Sequence, residues 1–358
     1  MKLYRLLIIL TIISACATGA FGYWLYTELN KPLAHSLSDQ YIEISRGSTL
    51  EDTIKQLEFS GVIRRAWPLQ IYIRFSGAGP RLKAGEYRFP TPISPLGVLR
   101  KLEEGQQRLA RFTVIEGWTR WDIASAMARV PGLKLANADE ALALMNDTSD
   151  IRDLDAGAIN LEGYLYPDTY SFPPDTTPRE MIAAMVKRFR QVWRDQEGEQ
   201  ALPSNKTPRE IVTVASLVET EAKLKDERPL VASVIYNRLK IGMPLGIDST
   251  VIYASKLAGK WRNDGKVYQS DLERDSPYNS RKVRGLPPGP IASSGAQSLA
   301  AALRPAQTDY LYYVREPSRN DGAHNFYNKE ADFQKGVQSL RAWERARDSN
   351  PDPPHAVN

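Results

Sequence analysis

The chain opens on an apolar run. Residues 6–26 carry no charged side chain. That length of helix covers about 30 Å, the thickness of a bilayer's hydrocarbon core. The pattern therefore predicts one membrane-spanning helix over residues 6–26. Lys2 and Arg5 precede it. The positive-inside rule keeps residues 1–5 in the cytoplasm and sends everything after about residue 27 across the membrane. Tyr23, Trp24 and Tyr26 then lie at the far interface. Two other readings compete. Ile13-Ser14-Ala15-Cys16 resembles a lipoprotein cleavage box, which would make Cys16 a lipidated terminus, and a cleaved leader has a similar outline. The apolar run continues ten residues past Cys16, so an uncleaved, single-pass anchor fits better. No second run approaches this length.

After the anchor the pattern shortens to strands and helices. Ile42-Glu43-Ile44 alternates, Gly47 turns, and Ile54, Leu57 and Ile63 follow at helical spacing behind a Ser48 or Thr49 cap. Phe112-Thr113-Val114-Ile115 repeats this layout seventy residues on, with Gly117 matching Gly47 and Thr119 matching Thr49. Strand, glycine turn and capped helix is the plan of a LysM-like glycan-binding module. It is equally the plan of a small βα packing unit with no ligand. Leu82-Lys83-Ala84-Gly85-Glu86-Tyr87-Arg88-Phe89-Pro90 lies between the copies, before a helix from Pro95 to Glu104 that ends at Gly105. Residues 27–130 are expected to form one α+β domain. Residues 131–160 read as helical, with an acidic loop over 147–155.

A second domain is expected over residues 131–345. Residues 161–172 pack four aromatics and two acids, and Gly163 and Pro167 preclude a regular helix there. Tyr164, Tyr166 and Tyr170 either present a stacking face to sugar rings or are core residues with buried hydroxyls. Thr207-Pro208-Arg209-Glu210 is a capping box with proline at the first helical position. The helix it opens is apolar over most of its circumference, with Thr213, Ser216 and Thr220 forming a narrow polar strip. A second helix, capped by Asp226, runs through Pro229 to Leu239 and stops at Gly242. Residues 243–253 turn into a strand or short helix. Residues 276–280 and 285–291 are proline-rich rigid loops that suit a cleft wall. Residues 311–314 and 324–327 are strands, 331–347 a final helix, and 346–358 a disordered tail. The fold class is therefore mixed α+β behind a transmembrane helix.

Composition narrows the chemistry. A single cysteine, Cys16, excludes an intrachain disulfide. The histidines, His35, His324 and His355, are scattered and no HExxH occurs, so no metal site is expected. The net charge is +5 with no long Lys/Arg run, which argues against nucleic acid and fits an anionic surface or polymer. A pyridoxal-phosphate lyase would need a phosphate-cradling glycine loop, and none is convincing, so no cofactor is expected. On the capped helix, Glu219 falls beside Val212 and Ala215 at one border of the apolar face, and Glu221 falls between Val214 and Leu217 at the other. A carboxylic acid held against apolar side chains has a raised pKa and can serve as a general acid. The plain alternative is that both carboxylates pair with Lys223, Lys225 or Arg228. Geometry alone does not choose between the two glutamates.

The ordered blocks Ala215-Ser216-Leu217-Val218-Glu219-Thr220-Glu221, Val231-Ala232-Ser233-Val234-Ile235-Tyr236-Asn237-Arg238-Leu239, Gly242-Met243-Pro244-Leu245 and Asp248-Ser249-Thr250-Val251-Ile252-Tyr253-Ala254 resemble the endolytic murein transglycosylase family (MltG, or YceG-like). Glu162-Gly163-Tyr164-Leu165-Tyr166-Pro167-Asp168, Ser276-Pro277-Tyr278-Asn279 and Gly285-Leu286-Pro287-Pro288-Gly289-Pro290-Ile291 extend the likeness over nearly the whole chain. The resemblance implies a single-pass inner-membrane lyase whose bulk lies in the periplasm. It implies internal cleavage of nascent peptidoglycan strands between N-acetylmuramic acid and N-acetylglucosamine, leaving 1,6-anhydro ends and serving cell-wall assembly. It places the catalytic acid on the first glutamate of Val-Glu-x-Glu, here Glu219. Glu162, Ser216, Asp248, Ser249, Thr250, Tyr278 and Asn279 are the candidates for lining the cleft. The expected partners are glycan strands and the peptidoglycan synthases that make them. The rival reading is a non-catalytic, membrane-anchored peptidoglycan-binding scaffold. Three departures stand out. Ser293-Ser294-Gly295 replaces the family's Asn-Pro-Gly, Tyr278-Asn279-Ser280-Arg281 replaces Tyr-Asn-Thr-Tyr, and Phe333 stands where a histidine is common.

Overall fold

The computed structural model describes residues 2–349 except 39, 46, 77–84, 105–109, 174–175, 199–205 and 320. The expectations for Leu82, Lys83, Ala84, Gly105 and residues 350–358 lie outside the described residues. The chain forms two compact units, Met1–Arg111 with Ser171–Thr176, and Phe112–Tyr170 with Thr177–Asn358.

The first unit begins with helix α1 (Lys2–Asn30), which exposes Leu6, Leu7, Ile9 and Leu10. Exposed apolar area on that scale needs an apolar surrounding, and the helix is long and apolar enough to be compatible with a single-pass anchor. It runs beyond the uncharged stretch. Its last turn packs into the unit's core through Leu29, and Trp24 stacks on Trp67 at 5.1 Å between ring centroids. Strand β1 (Ile42–Ile44) leads through α2 (Leu50–Phe59) and α3 (Ala66–Ser76) to β2 (Gly85–Tyr87) and α4 (Pro95–Glu104). β1 and β2 pair antiparallel, Ile42 opposite Tyr87 and Ile44 opposite Gly85. Thr49 caps α2 by accepting the Asp52 N–H at 3.1 Å. Ile44, Ile54, Leu57, Leu69 and Phe89 close the core between these elements.

Strand β3 (Ala110–Thr113) precedes α5 (Arg120–Ala128), α6 (Ala138–Leu144) and β4 (Thr169–Phe172), its pairing partner. The second unit continues with α7 (Pro178–Gly198), α8 (Pro208–Glu221), α9 (Arg228–Lys240), α10 (Asp248–Leu257), α11 (Gln269–Leu272) and α12 (Ala296–Leu303). It closes with the antiparallel pair of β5 (Tyr312–Arg315) and β6 (His324–Tyr327) and with α13 (Glu330–Ser349). Helix α8 lies at the centre and packs against α12, α9 and α10. Every residue from Ile211 to Val218 is buried. Thr207 and Glu210 form the reciprocal capping box expected of the sequence, with Pro208 in the first turn.

The structure corrects several expectations. The two copies of the sequence repeat share a local geometry. Gly47 and Gly117 have φ of +83° and +81°, and Thr49 and Thr119 both cap helices. They fall in different compact units, since the border between units lies after Arg111. The physical reason is that the second copy is bonded into the second unit. Its helix α5 packs on α6, and the Gly117 N–H donates to the Ser293 carbonyl at 2.8 Å. Residues 131–160 contain only the short α6 and two 3-10 turns. Asp226 does not cap α9. It lies in a 3-10 turn, Lys225–Glu227, that leads directly into the helix. Residues 248–253 are helical, and α13 extends to Ser349, into the stretch expected to be disordered.

Candidate active site

The carboxyl of Glu219 projects from the last turn of α8 into a closed polar cluster. Its side chain is 4% exposed. Oε1 accepts from Arg228 Nη2 at 2.9 Å and Oε2 accepts from the Gly295 backbone N–H at 2.9 Å. Gly295 is the N-cap residue of α12, so the carboxyl sits at a helix N-terminus, where backbone N–H groups and the helix dipole favour an anion. Burial pushes the Glu219 pKa up. The Gly295 N–H and the Arg228 charge oppose that rise, the nearby Glu116 carboxylate adds to it, and the Ser298 hydroxyl opposes it, leaving the net shift upward.

Glu221 lies two residues further on, at the end of α8, and is held differently. Its oxygens accept from the Tyr313 hydroxyl at 2.9 Å and from Ser249 Oγ at 3.4 Å. Burial raises its pKa too. Both glutamates thus have elevated proton affinity. Glu219 accepts its hydrogen bonds directly from a guanidinium and from the N-cap of a helix, groups suited to a developing negative charge.

A third buried carboxyl, Glu162, meets the first N–H of α5. Its oxygens accept the Arg120 N–H at 3.1 and 3.2 Å and the Tyr253 hydroxyl at 3.2 Å. Burial lifts its pKa to about 7 against the pull of the Arg120 N–H and charge and of Tyr253. Glu162, Tyr278, Asn160 and Arg209 line a cavity of about 110 Å³. The segment between Glu116 and Arg120 links the two carboxyls. Gly117 donates to Ser293 O, and Ser293 N donates back to Trp118 O at 2.8 Å. Ser293 and Gly295 are therefore the residues that join this segment to Glu219.

The other candidates separate into groups. Ser216, Thr250 and Asn279 are buried, and their polar atoms are engaged inside the fold. Ser216 Oγ donates to Thr213 O at 2.7 Å and accepts from Ile291 N at 3.1 Å. Thr250 Oγ1 donates to Ile247 O at 2.6 Å and contacts Ser280 Oγ at 2.8 Å. Asn279 Nδ2 donates to the carbonyls of Leu272 and Arg274. These bonds tie the three side chains to neighbouring backbone and loops. Asp248 is exposed and paired with Arg281 at 2.6 Å. Ser249 joins Thr220 and Glu221. Tyr278 is the one candidate that shares a cavity with Glu162, packed 4.8 Å from the Tyr253 ring.

The aromatic stretch takes its core alternative. Tyr164 and Tyr166 are buried, Tyr164 donates to Asp155 at 2.7 Å, and Tyr170 donates to the Tyr166 carbonyl. Phe333, in place of a histidine, packs against Tyr312 with ring centroids 5.0 Å apart. Sequence reasoning missed Glu116, Gly295, Arg120, Tyr253 and Tyr313, and met Arg228 only as an ion-pair partner. No local signal marks them, because each reaches its glutamate from a remote part of the chain.

A family model described as the YceG-like family matches residues 42–339. An endolytic murein transglycosylase of Bacillus subtilis (strain 168) is 37% identical over 290 residues, covering 76% of this chain and 78% of that protein. One from Streptococcus pneumoniae serotype 2 (strain D39) is 30% identical over 92% of this chain, which spans 63% of the length of the pneumococcal protein. The crystal structure of a yceG-like protein from Listeria monocytogenes superposes with a TM-score of 0.54 at 33% identity, covering 82% of this chain and 97% of that one.

Proposed function

Because the chain belongs to the YceG-like family, we propose that it is an endolytic murein transglycosylase, a lyase acting inside peptidoglycan strands. The reaction needs one acid that later serves as base. Protonated Glu219 donates to the glycosidic oxygen between N-acetylmuramic acid and N-acetylglucosamine, and the C1–O bond breaks. The C6 hydroxyl of the same muramic residue attacks C1, and Glu219, now a carboxylate, takes its proton. The product ends in 1,6-anhydromuramic acid, and no water is consumed. The substrate supplies the nucleophile, so the second carboxylate of ordinary glycosidases is not required.

One observation carries the choice of Glu219. Its carboxyl is buried enough to hold a proton, yet its two oxygens already face a guanidinium and the N-terminus of α12. Those donors would stabilise the carboxylate formed when the proton leaves. Glu162 and Tyr278 border the strand's path in this reading, with Ser249 and Asp248 at its edge. Helix α1 anchors the enzyme in the inner membrane with the chain after it in the periplasm, beside the synthases that extrude new strands, where cutting would terminate elongation. The first unit serves as a LysM-like glycan contact, a role supported by its strand, glycine turn and capped helix.

The test is mass spectrometry of uncrosslinked glycan strands incubated with the full-length protein. Internal fragments ending in anhydromuramic acid, absent with Glu219→Gln, are expected. Reducing ends would mean that water attacks and would overturn the lyase chemistry. Strands that stay intact but co-sediment with the protein would make it a binding scaffold.

A further inference from the structure

Arg228 serves two carboxylates. Its Nη2 lies 2.9 Å from Glu219 Oε1 and 3.4 Å from Glu116 Oε2. The Arg228 side chain is 8% exposed, whereas that of Glu116 is 50% exposed. Glu116 also rests directly over Gly295. A Cβ built on Gly295 would come within 1.9 Å of Glu116 Oε1, and the N–H of that same glycine holds Glu219. The placement is fixed by backbone, since Gly117 and Trp118 exchange hydrogen bonds with Ser293.

We propose that Glu116 is a positioning residue that keeps Glu219 in its acid form by sharing Arg228. The inference rests on the transglycosylase reading above. One guanidinium balances one carboxylate. Of the two, Glu116 has water on one side and Glu219 does not, so charge is cheaper on Glu116 and the proton belongs on Glu219. The resting cluster then sets two carboxyls on one guanidinium, with the proton on the more buried Glu219. When Glu219 gives its proton to the glycosidic oxygen, Arg228 Nη2 and the Gly295 N–H are already in place to hold the new carboxylate. When the C6 hydroxyl returns a proton, the cluster resets. Arg228 from the start of α9 and Glu116 from the segment before α5 are the charged groups acting on Glu219, and Ser298 of α12 adds a hydroxyl. Tyr166, with a phenol raised by burial, faces Glu116 in turn.

The experiment is the pH profile of kcat/KM for release of anhydro ends, using the full-length protein in detergent and purified uncrosslinked strands. Glu116→Gln removes the competing charge, so Arg228 acts on Glu219 alone and the acid loses its proton at lower pH. The alkaline limb is expected to move down, with the rate falling about tenfold above the limb and staying at the wild-type level below it. Glu116→Asp restores part of the profile. Gly295→Ala alters no charge but drives the flexible Glu116 side chain away from its seat, and its limb is expected to move in the same direction. A carboxyl-carbon NMR titration of Glu219 reads the same displacement without substrate, should turnover be too slow. A Glu116→Gln profile that falls equally at every pH, or does not change, overturns the proposal while leaving the transglycosylase reading intact. A wild-type protein that releases no anhydro ends overturns both.

Discussion

Arg228 and Glu219 form a hydrogen-bonded pair almost closed to solvent, with side chains 8% and 4% exposed and 2.9 Å between Nη2 and Oε1. Removing one member of such a pair leaves the other charge uncompensated, unless that member can neutralise itself. Glu219 can, by keeping its proton. Arg228→Ala should therefore fold nearly as well as wild type in acid and lose stability as pH rises, because the buried carboxylate then has no cation. The loss should reach about 3 kcal/mol in alkali. Melting curves from about pH 5 to about pH 9 check this. A gap between variant and wild type that stays constant across the range would show that Arg228 contributes packing alone.

Glu162 predicts a second pH dependence. Its folded pKa, about 7, lies above the ordinary 4.5. Between these values the folded chain holds a proton that the unfolded chain has released. Stability is thus highest below pH 4.5 on this account, falls as pH rises to about 7, and levels off beyond. The decline amounts to about 3 kcal/mol at most. Glu162→Gln keeps an oxygen to accept the Arg120 N–H and removes the titration. Its melting temperature should follow a flatter curve than wild type and exceed it above neutrality. Parallel curves would mean that the carboxyl stays solvated.

Much of this was legible in the sequence, and the rest fails for a common reason. The Thr207-Pro208-Arg209-Glu210 box fixed the start of α8, because capping is settled within four residues. The apolar circumference of α8 announced a central, buried helix, and so an elevated pKa for its terminal glutamates. What could not be read was which groups meet those glutamates. Gly295 and Glu116 stand 76 and 112 residues from their partners, and no periodicity reports a contact of that range. Ser216, Thr250 and Asn279 show the converse. Small polar residues near a buried helix look like ligand contacts in sequence, but a buried loop also needs its backbone groups bonded, and all three make such bonds.

Tyr164, one of two buried tyrosines in the aromatic stretch, gives a graded test. Tyr164 donates to Asp155 Oδ2 at 2.7 Å, and Arg209 donates to the same carboxylate through Nε at 2.8 Å. Tyr164→Phe removes one donor and leaves the carboxylate paired, which should cost about 1–2 kcal/mol. Asp155→Ala strands both partners and should cost about 3 kcal/mol or more. Urea midpoints measured for both variants decide this. Equal losses would indicate that Tyr164 carries the interaction and that Arg209 adds nothing to it.

Gly163 and Gly117 have the same φ, +81°, in different surroundings. Around Gly117 a Cβ would meet nothing within 4 Å, so Gly117→Ala should cost only the left-handed strain, about 1–2 kcal/mol. At Gly163 a Cβ would lie 2.4 Å from Pro290 Cβ and 3.1 Å from Val212 of α8. Neither neighbour can retreat easily. Pro290 sits in a rigid loop whose next residue, Ile291, donates its N–H to Ser216 Oγ on α8. Gly163→Ala should therefore add an overpacking cost of about 1–3 kcal/mol to the strain. The same push is transmitted along the loop toward Ser293 and Gly295, whose N–H holds Glu219. Any folded Gly163→Ala protein should then show a reduced kcat with little change in KM, whereas Gly117→Ala should lose stability at least as much as activity. Comparing melting temperatures and steady-state constants for the two variants tests the distinction. Equal melting temperatures would mean that the Pro290 loop yields, and the packing argument at Gly163 would fail.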